Sequence, residues 1–233
     1  MPVITINGQI GSGAREIGLL VSEAMALDYV DRISLASAGV RVDSGEQILE
    51  DIEYQNWSLA DQIFRLFHKA LDRSVFSAGV GDTVFGSAMH AMQNLPYNMD
   101  YLGANPDDRE EDATGLFELL NDVVRNVALQ DNCVIVGRGS NFLLKDHGSI
   151  VSLGVVAEDR FKIETVRVRY SMNQSDAEHF VRQTERSRQA YYRKHFNVDP
   201  DDPIHYDLVL NPGKTGIQHS TDIAVQFCKI KFL

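Results

Sequence analysis

Met1-Pro2-Val3-Ile4-Thr5-Ile6-Asn7-Gly8-Gln9-Ile10-Gly11-Ser12-Gly13-Ala14-Arg15-Glu16-Ile17 is the stretch on which the reading of this chain turns. Val3 to Ile6 is a short apolar, β-branched run, the composition of a buried strand. Gly8, Gly11 and Gly13 follow at once. From Ala14 the apolar period becomes helical, with Ile17, Leu20, Val21, Ala24 and Met25 recurring at helix spacing. Strand, glycine-rich turn and helix in that order build a cradle for an anion. Glycines let successive backbone N–H groups point inward, and the helix N-terminus adds partial positive charge.

The phosphate-loop pattern asks for Gly, four residues, then Gly-Lys-Ser/Thr. Gly8 to Gly13 has that interval, but Ala14 stands in place of Lys and Arg15 in place of Ser/Thr. The backbone cradle is intact while two side-chain functions are missing: the lysine that reaches the β/γ-phosphates and the hydroxyl that holds Mg²⁺. Arg15 is the candidate to restore the charge from one position later, although a guanidinium does not replace an ammonium one for one. A glycine-rich turn with no ligand has the same local composition, so the loop alone leaves both readings open.

At 233 residues the chain suits one large domain or a core with a sizeable insertion. Its 44% hydrophobic content is ordinary for a protein with a substantial core. A net charge of −11 argues against general binding to nucleic acid or acidic membranes, but leaves room for a small anion where basic residues gather. No stretch approaches the ~20 apolar residues of a membrane helix. The chain enters a strand at once with no charged and apolar leader, so a cytoplasmic protein is expected. Cys133 and Cys228 sit in apolar contexts and read as core thiols rather than a disulfide framework. The seven histidines have no metal-ligand spacing, and no metal-binding side-chain set is expected.

Downstream, residues 27–32 read as a second strand ending in Asp31-Arg32. A long region with little strand character follows, from which residues 59–75 are expected as helix and 94–112 as an acidic, Pro- and Asn-rich loop suited to mobility. Leu116, Leu119, Leu120, Val123, Val124 and Val127 form an amphipathic stripe. Cys133-Val134-Ile135-Val136 is a fully apolar strand ending in Gly137-Arg138-Gly139. Residues 150–156 and 206–211 are further strands. Helices are expected over 158–170, over 175–195 with Ser175 and Asp176 as capping candidates, and over 218–228. Strands alternating with helices predict a three-layer α/β/α fold with a mostly parallel sheet. In such sheets ligands bind beyond the carboxyl ends of the strands. Three expected strands end there in suggestive residues: Gly8 to Arg15, Asp31-Arg32, and Gly137-Arg138.

Arg182, Arg186, Arg188, Arg193 and Lys194 fall within thirteen residues of an acidic chain. Arg182, Arg186 and Arg193, spaced by four and seven, would share one helix face, with Arg188 pointing elsewhere. Guanidiniums grip phosphate oxygens bidentately. A solvated face paired with Glu178 and Glu185 accounts for the same spacing.

Gly11-Ser12-Gly13-Ala14-Arg15-Glu16-Ile17 and Tyr29-Val30-Asp31-Arg32 resemble the opening of the cytidylate kinase-like family. The likeness continues in Cys133-Val134-Ile135-Val136-Gly137-Arg138, Glu185-Arg186 with Tyr191-Tyr192, and Tyr206-Asp207-Leu208-Val209-Leu210-Asn211. It thus spans nearly the whole chain. That family is similar to the nucleoside monophosphate kinases and often carries a small residue followed by Arg where the phosphate loop has Lys-Ser. The resemblance implies a single phosphate-loop kinase-like domain over 1–233, with a helical acceptor-binding insertion at 45–112 and an arginine-bearing lid at 172–203. It implies that Gly8, Gln9, Ile10, Gly11, Ser12, Gly13, Ala14 and Arg15 hold the phosphates of ATP, with Mg²⁺ as the accompanying ion. Arg15, Arg186 and Arg193 would act on the transferring group. Asp31, Arg32, Arg138 and Arg182 would contact the acceptor. Arg138 capping a helix or pairing with Asp31 is the plainer alternative, as is a local backbone role for Asp207. The expected activity is phosphoryl transfer from ATP to a nucleoside monophosphate, CMP or dCMP first. A nucleotide-binding regulatory protein with little transfer, and a kinase of another small metabolite, are the other readings. Self-association through the insertion's apolar helices is open.

Overall fold

Four-residue runs such as Cys133–Val136, with no polar residue to face water, become strands buried on both sides. The computed structural model describes residues 2–31, 121–122, 124–129 and 132–232. The chain divides into two units, Met1–Asp31 with Gln130–Leu233, and Arg32–Leu129. In the second unit the described residues are helical over 121–122 and 124–128, with Val124, Val127 and Ala128 buried. Arg32, the 45–112 insertion with its expected helix and loop, and Leu116, Leu119, Leu120 and Val123 lie outside the described residues.

The first unit holds a five-stranded sheet, all neighbours parallel: β1 (Val3–Gly8), β2 (Asp28–Val30), β3 (Cys133–Val136), β4 (Ile150–Val155) and β5 (Leu208–Leu210). Their order is β2-β3-β1-β4-β5. Val3 pairs with Cys133 on one side and Ile150 on the other, so β1 is central. From β1 the chain passes to β2 on one flank, while from β3 it crosses to β4 on the other. The carboxyl ends of β1 and β3 are therefore where neighbouring connections diverge, the place where sheets of this kind bind ligands.

Alternation along β1 sets the two faces. Ile4 and Ile6 enter the main core with Val134, Val151, Leu153 and Leu210. That core is closed by Ile17 and Val21 of α1 (Ala14–Met25) and by Ala224, Val225 and Cys228 of the C-terminal helix, Ile217–Lys231. Each Ile, Leu and Val among them is worth ~1.5–3 kcal/mol when removed from water. Ala24, expected on the inner stripe of α1, faces solvent. Cys133 and Cys228 are buried, as their contexts predict, and burial followed by the Asp207 charge pushes the Cys228 thiol up to about 12.

On the other face, a four-residue helix α2 (Ser140–Leu143) follows β3. Two long helices, α3 (Asp159–Tyr170) and α4 (Gln174–Phe196), then form a hairpin whose apolar seam is Val166, Ala177 and Val181. Ile10, from the glycine-rich turn, packs into that seam. The α4 cap is neither Ser175 nor Asp176 but Asn173, whose side-chain oxygen accepts from the Asp176 N–H at 2.9 Å. The helix begins one residue earlier than expected, at Gln174, which moves the cap upstream. The last strand is shorter than the apolar run, because Pro203–His205 forms a 3₁₀ turn that holds Tyr206 outside the ladder. Two further helices complete the unit, α5 (Pro212–Thr215) and the C-terminal α6 (Ile217–Lys231).

Near the end of α4, His195 lies beside Tyr191 at 4.8 Å between ring centroids. Burial, then the Lys194 charge, lowers its pKa below the ordinary 6.5. The unfolded chain binds that proton first as pH falls, so stability present above pH 6.5 is lost through the folded pKa. Unfolding titrations of His195→Gln should show a shallower loss of stability below pH 6.5 than the parent protein.

Candidate active site

The glycine-rich turn leaves β1 as the sequence predicts and closes on itself through a Ser12 N–H donating to the Gln9 carbonyl at 3.1 Å. Gly11 has φ +75°, and a Cβ there would come within 2.5 Å of the Lys162 backbone oxygen on α3. Gly13 caps α1 with φ +92°. Both positions are open only to glycine at low cost. Between them Ser12 is fully buried, and among the described residues its hydroxyl has no hydrogen-bond partner. A buried hydroxyl without a partner beside a helix N-terminus is an atom set for an anion.

A second turn of the same character leaves β3. Gly137, Arg138 and Gly139 have φ of 86°, 59° and 66°, three successive left-handed residues, the middle one not a glycine. Arg138 in that region stores strain of about 1–3 kcal/mol. The residue is 7% exposed, and among the described residues its Nε–H has no hydrogen-bond partner; nor does the buried Ser140 hydroxyl that follows. Gly137 N–H donates to the Ile6 carbonyl at 2.8 Å, so the two turns start side by side on neighbouring strands.

Behind them runs a buried polar chain. The Gly139 N–H donates to the Tyr192 hydroxyl at 3.0 Å, and that hydroxyl donates to Asn7 Oδ1 at 2.8 Å. Asn7 Nδ2 donates to Asn141 Oδ1, and Asn141 Nδ2 to the His205 carbonyl at 3.4 Å. Asn7 is thus the polar residue of β1 that locks the end of the strand to α2 and α4.

Arg15 extends from the first turn of α1 to Asp31, with Nε 3.1 Å from Oδ2. The Tyr29 hydroxyl donates to the same oxygen at 3.1 Å. Burial, then the Asp31 charge, drives the Tyr29 phenol up, Arg15 partly opposing, so it stays a donor. Asp31 is 4% exposed. Of the expected acceptor contacts, the structure joins Asp31 to Arg15 rather than to Arg138.

Arg182, Arg186 and Arg193 share the exposed face of α4, as their spacing predicts. Glu178, the pairing partner considered for that face, accepts from Gln174 at 2.7 Å. Glu185 turns inward instead and accepts from the Ile10 N–H of the glycine-rich turn. Arg188 is the arginine of α4 that is buried, 1% exposed. Its Nε donates to Glu185 Oε2 at 3.2 Å, its Nη2 pairs with Asp201 Oδ1, and its guanidinium carbon lies 5.8 Å from the Tyr192 ring centroid. The other Asp201 oxygen accepts from Gln9 Nε2 at 3.2 Å, and Gln9 Oε1 accepts from the Ala157 N–H at 3.1 Å. Sequence reasoning passed over Glu185, Arg188, Tyr192, Asp201 and Asn7 as site residues. One signal was available: Ala177, Val181, Thr184, Arg188 and Tyr191 sit on one helical stripe, and an arginine on a core stripe is a buried charge in search of partners. Asp207 accepts from the Ser152 N–H on β4 at 2.9 Å and pairs with Lys231, a role in the ladder.

Residues 3–214 match the cytidylate kinase-like family. The chain belongs to that family. No curated protein matches this cytidylate kinase-like chain. Among solved structures, an uncharacterized protein from Eubacterium ventriosum ATCC 27560 is 13% identical, with a TM-score of 0.57 over 98% of this chain and 99% of that one. A shikimate kinase from Bacteroides thetaiotaomicron is 11% identical, with a TM-score of 0.47 over 97% and 98%. Another, from Acinetobacter baumannii in complex with shikimate, is 10% identical, with a TM-score of 0.48 over 100% and 96%. The parallel five-stranded sheet with its helices is the α/β, phosphate-loop kinase-like fold expected of the family. Among the described residues no helix is long and apolar enough to cross a membrane.

Two substitutions probe this geometry. Gly11→Ala should lower the melting temperature, because the new Cβ meets backbone that cannot rotate away. Tyr192→Phe removes the hydroxyl that donates to Asn7 Oδ1 and accepts from the Gly139 N–H, and should cost about 1–3 kcal/mol in denaturant unfolding, as buried polar groups left unsatisfied do.

Proposed function

We propose that this member of the cytidylate kinase-like family is an ATP-dependent phosphotransferase. Its acceptor would be a small molecule with an anionic group, a nucleoside monophosphate in the first instance and CMP or dCMP foremost. One observation carries the reading: two left-handed turns leave adjacent strands side by side, each with buried polar atoms that lack a partner. Two anion cradles in contact suit two phosphate-bearing substrates, a donor and an acceptor. Family membership supports a kinase-type transferase acting on a nucleotide or small metabolite.

The residues fit the phosphate groups of a nucleotide. The Gly8 to Gly13 turn would present N–H groups and the Ser12 hydroxyl to the donor. Arg138 and Ser140 would hold the acceptor's anion, and fixing both partners in line is most of what phosphoryl transfer asks of a protein. The acceptor oxygen bonds to the γ-phosphorus as the bridging β,γ-oxygen leaves with ADP. Ala14-Arg15 offers no loop hydroxyl to Mg²⁺, and the described residues contain no cluster of three or more His, Cys, Asp or Glu that could hold a metal. Mg²⁺ would be bound by phosphate oxygens and water, neutralising charge on the leaving group. Arg15 is the proposed substitute for the missing lysine, with Asp31 orienting it, and the exposed Arg182, Arg186 and Arg193 are proposed to meet the nucleotide once α4 has moved.

Ala14 favours a second reading, a nucleotide-binding regulatory protein with little transfer, since loss of a phosphate cation costs orders of magnitude in rate. ADP release from ATP–Mg²⁺ against a panel of nucleoside monophosphates and other small anionic acceptors separates the two. Acceptor-dependent turnover supports the kinase; ATP binding without turnover on any acceptor supports the regulator. In the active case Arg138→Gln should raise the acceptor KM about 10- to 100-fold, the worth of a hydrogen bond to a charged group, with the Kd for ATP unchanged.

A further inference from the structure

Every backbone N–H aimed into an anion cradle is a place a phosphate oxygen can sit, and one of them is taken. The Ile10 N–H donates to Glu185 Oε1, a carboxylate brought in from the lid helix α4. A carboxylate oxygen accepting from that N–H has the charge sign and donor demand of a phosphate oxygen. Glu185 is held there by more than the one bond. Arg188, packed beneath it, donates to the same carboxylate, and passes on through Asp201 to the Gln9 side chain. Two consecutive residues of the loop, Gln9 and Ile10, are thereby tied to α4 and the chain just beyond it by a carboxylate, a guanidinium and a second carboxylate. The Ile10 side chain adds an apolar contact to the α3–α4 seam.

A nucleotide phosphate entering this cradle would meet two carboxylates on its first turn. Like charges juxtaposed in a water-poor site are strongly unfavourable. Phosphate and Glu185 also compete for the same N–H. We propose that Glu185 is an internal phosphate mimic that occupies the loop when no nucleotide is bound, so that nucleotide binding and release of α4 from the loop are one event. As Glu185 leaves, the incoming phosphate takes its place as acceptor beside the Arg188 Nε–H. Asp201 keeps the buried guanidinium paired throughout, and its second partner is Glu185 in one state and a phosphate in the other. The latch rests on the phosphate-binding reading of the loop, not on transfer itself.

The test is calorimetric titration of ATP and of inorganic tripolyphosphate into the full chain and into Glu185→Gln. The substitution keeps the side chain's volume and leaves Arg188 paired with Asp201. Removing the competing charge should tighten both ligands at least tenfold. The unmodified protein supplies a measurement that needs no variant: the Ile10 amide resonance should shift on addition of tripolyphosphate, while hydrogen exchange across α4 speeds up. Equal affinity for the two proteins, or an α4 whose exchange is unmoved by bound ligand, overturns the latch while nucleotide binding stands. Tight binding by Glu185→Gln with no turnover on any acceptor supports the latch and removes the kinase. Failure of either polyphosphate to bind either protein overturns both.

Discussion

A guanidinium taken almost wholly out of water must be neutralised where it lies, and Arg188 sets that demand at the centre of this molecule. It is met from two directions, by Glu185 one turn earlier on the same helix and by Asp201 beyond the helix end. Each carboxylate has an oxygen left over, and both oxygens go to the glycine-rich turn. Placement of the long helix, shape of the turn and charge near the cradle are therefore one problem with one solution. Removing Arg188 would leave Glu185 and Asp201 without the cation between them, which costs far more than the pairs contribute when whole.

The polar residues of β1 extend the same logic to the second turn. Asn7 sits where the strand's alternation turns its side chain away from the core of Ile4 and Ile6. Its amide bridges Tyr192 of α4 and Asn141 of α2, and Tyr192 in turn receives the Gly139 N–H. The two cradles are held at a fixed separation by short polar links rather than by loose loops. Preorganisation of that kind suits a site that must position two charged substrates.

Much of this architecture was legible in the residues themselves. The change from β-branched alternation to helical spacing at Ala14, and the apolar runs at Cys133–Val136 and Ile150–Val155, identified the strands and the first helix within a residue or two. Those signals are local and depend on periodicity. The Gly8 to Gly13 turn was legible for the same reason: positive φ selects glycine wherever it occurs. The arginines of α4 were read only in part. Spacing separates Arg188 from Arg182, Arg186 and Arg193, but does not say that the shared stripe faces solvent and the odd residue inward. The Asn173 cap was missed because the first helical residue lies one position earlier than the apolar pattern suggests.

By itself the sequence determined the alternation of strands and helices, the glycine turn and the family, since each is written in neighbouring residues and their period. The order β2-β3-β1-β4-β5 and the meeting of turns after β1 and β3 came from tertiary structure, because parallel strands are joined through distant crossovers. Only the fold could choose among the carboxylates for Arg188, or bring Glu185 across 175 positions to the Ile10 N–H. A buried charge takes the partner that packing delivers, and packing is decided by contacts far apart in the chain.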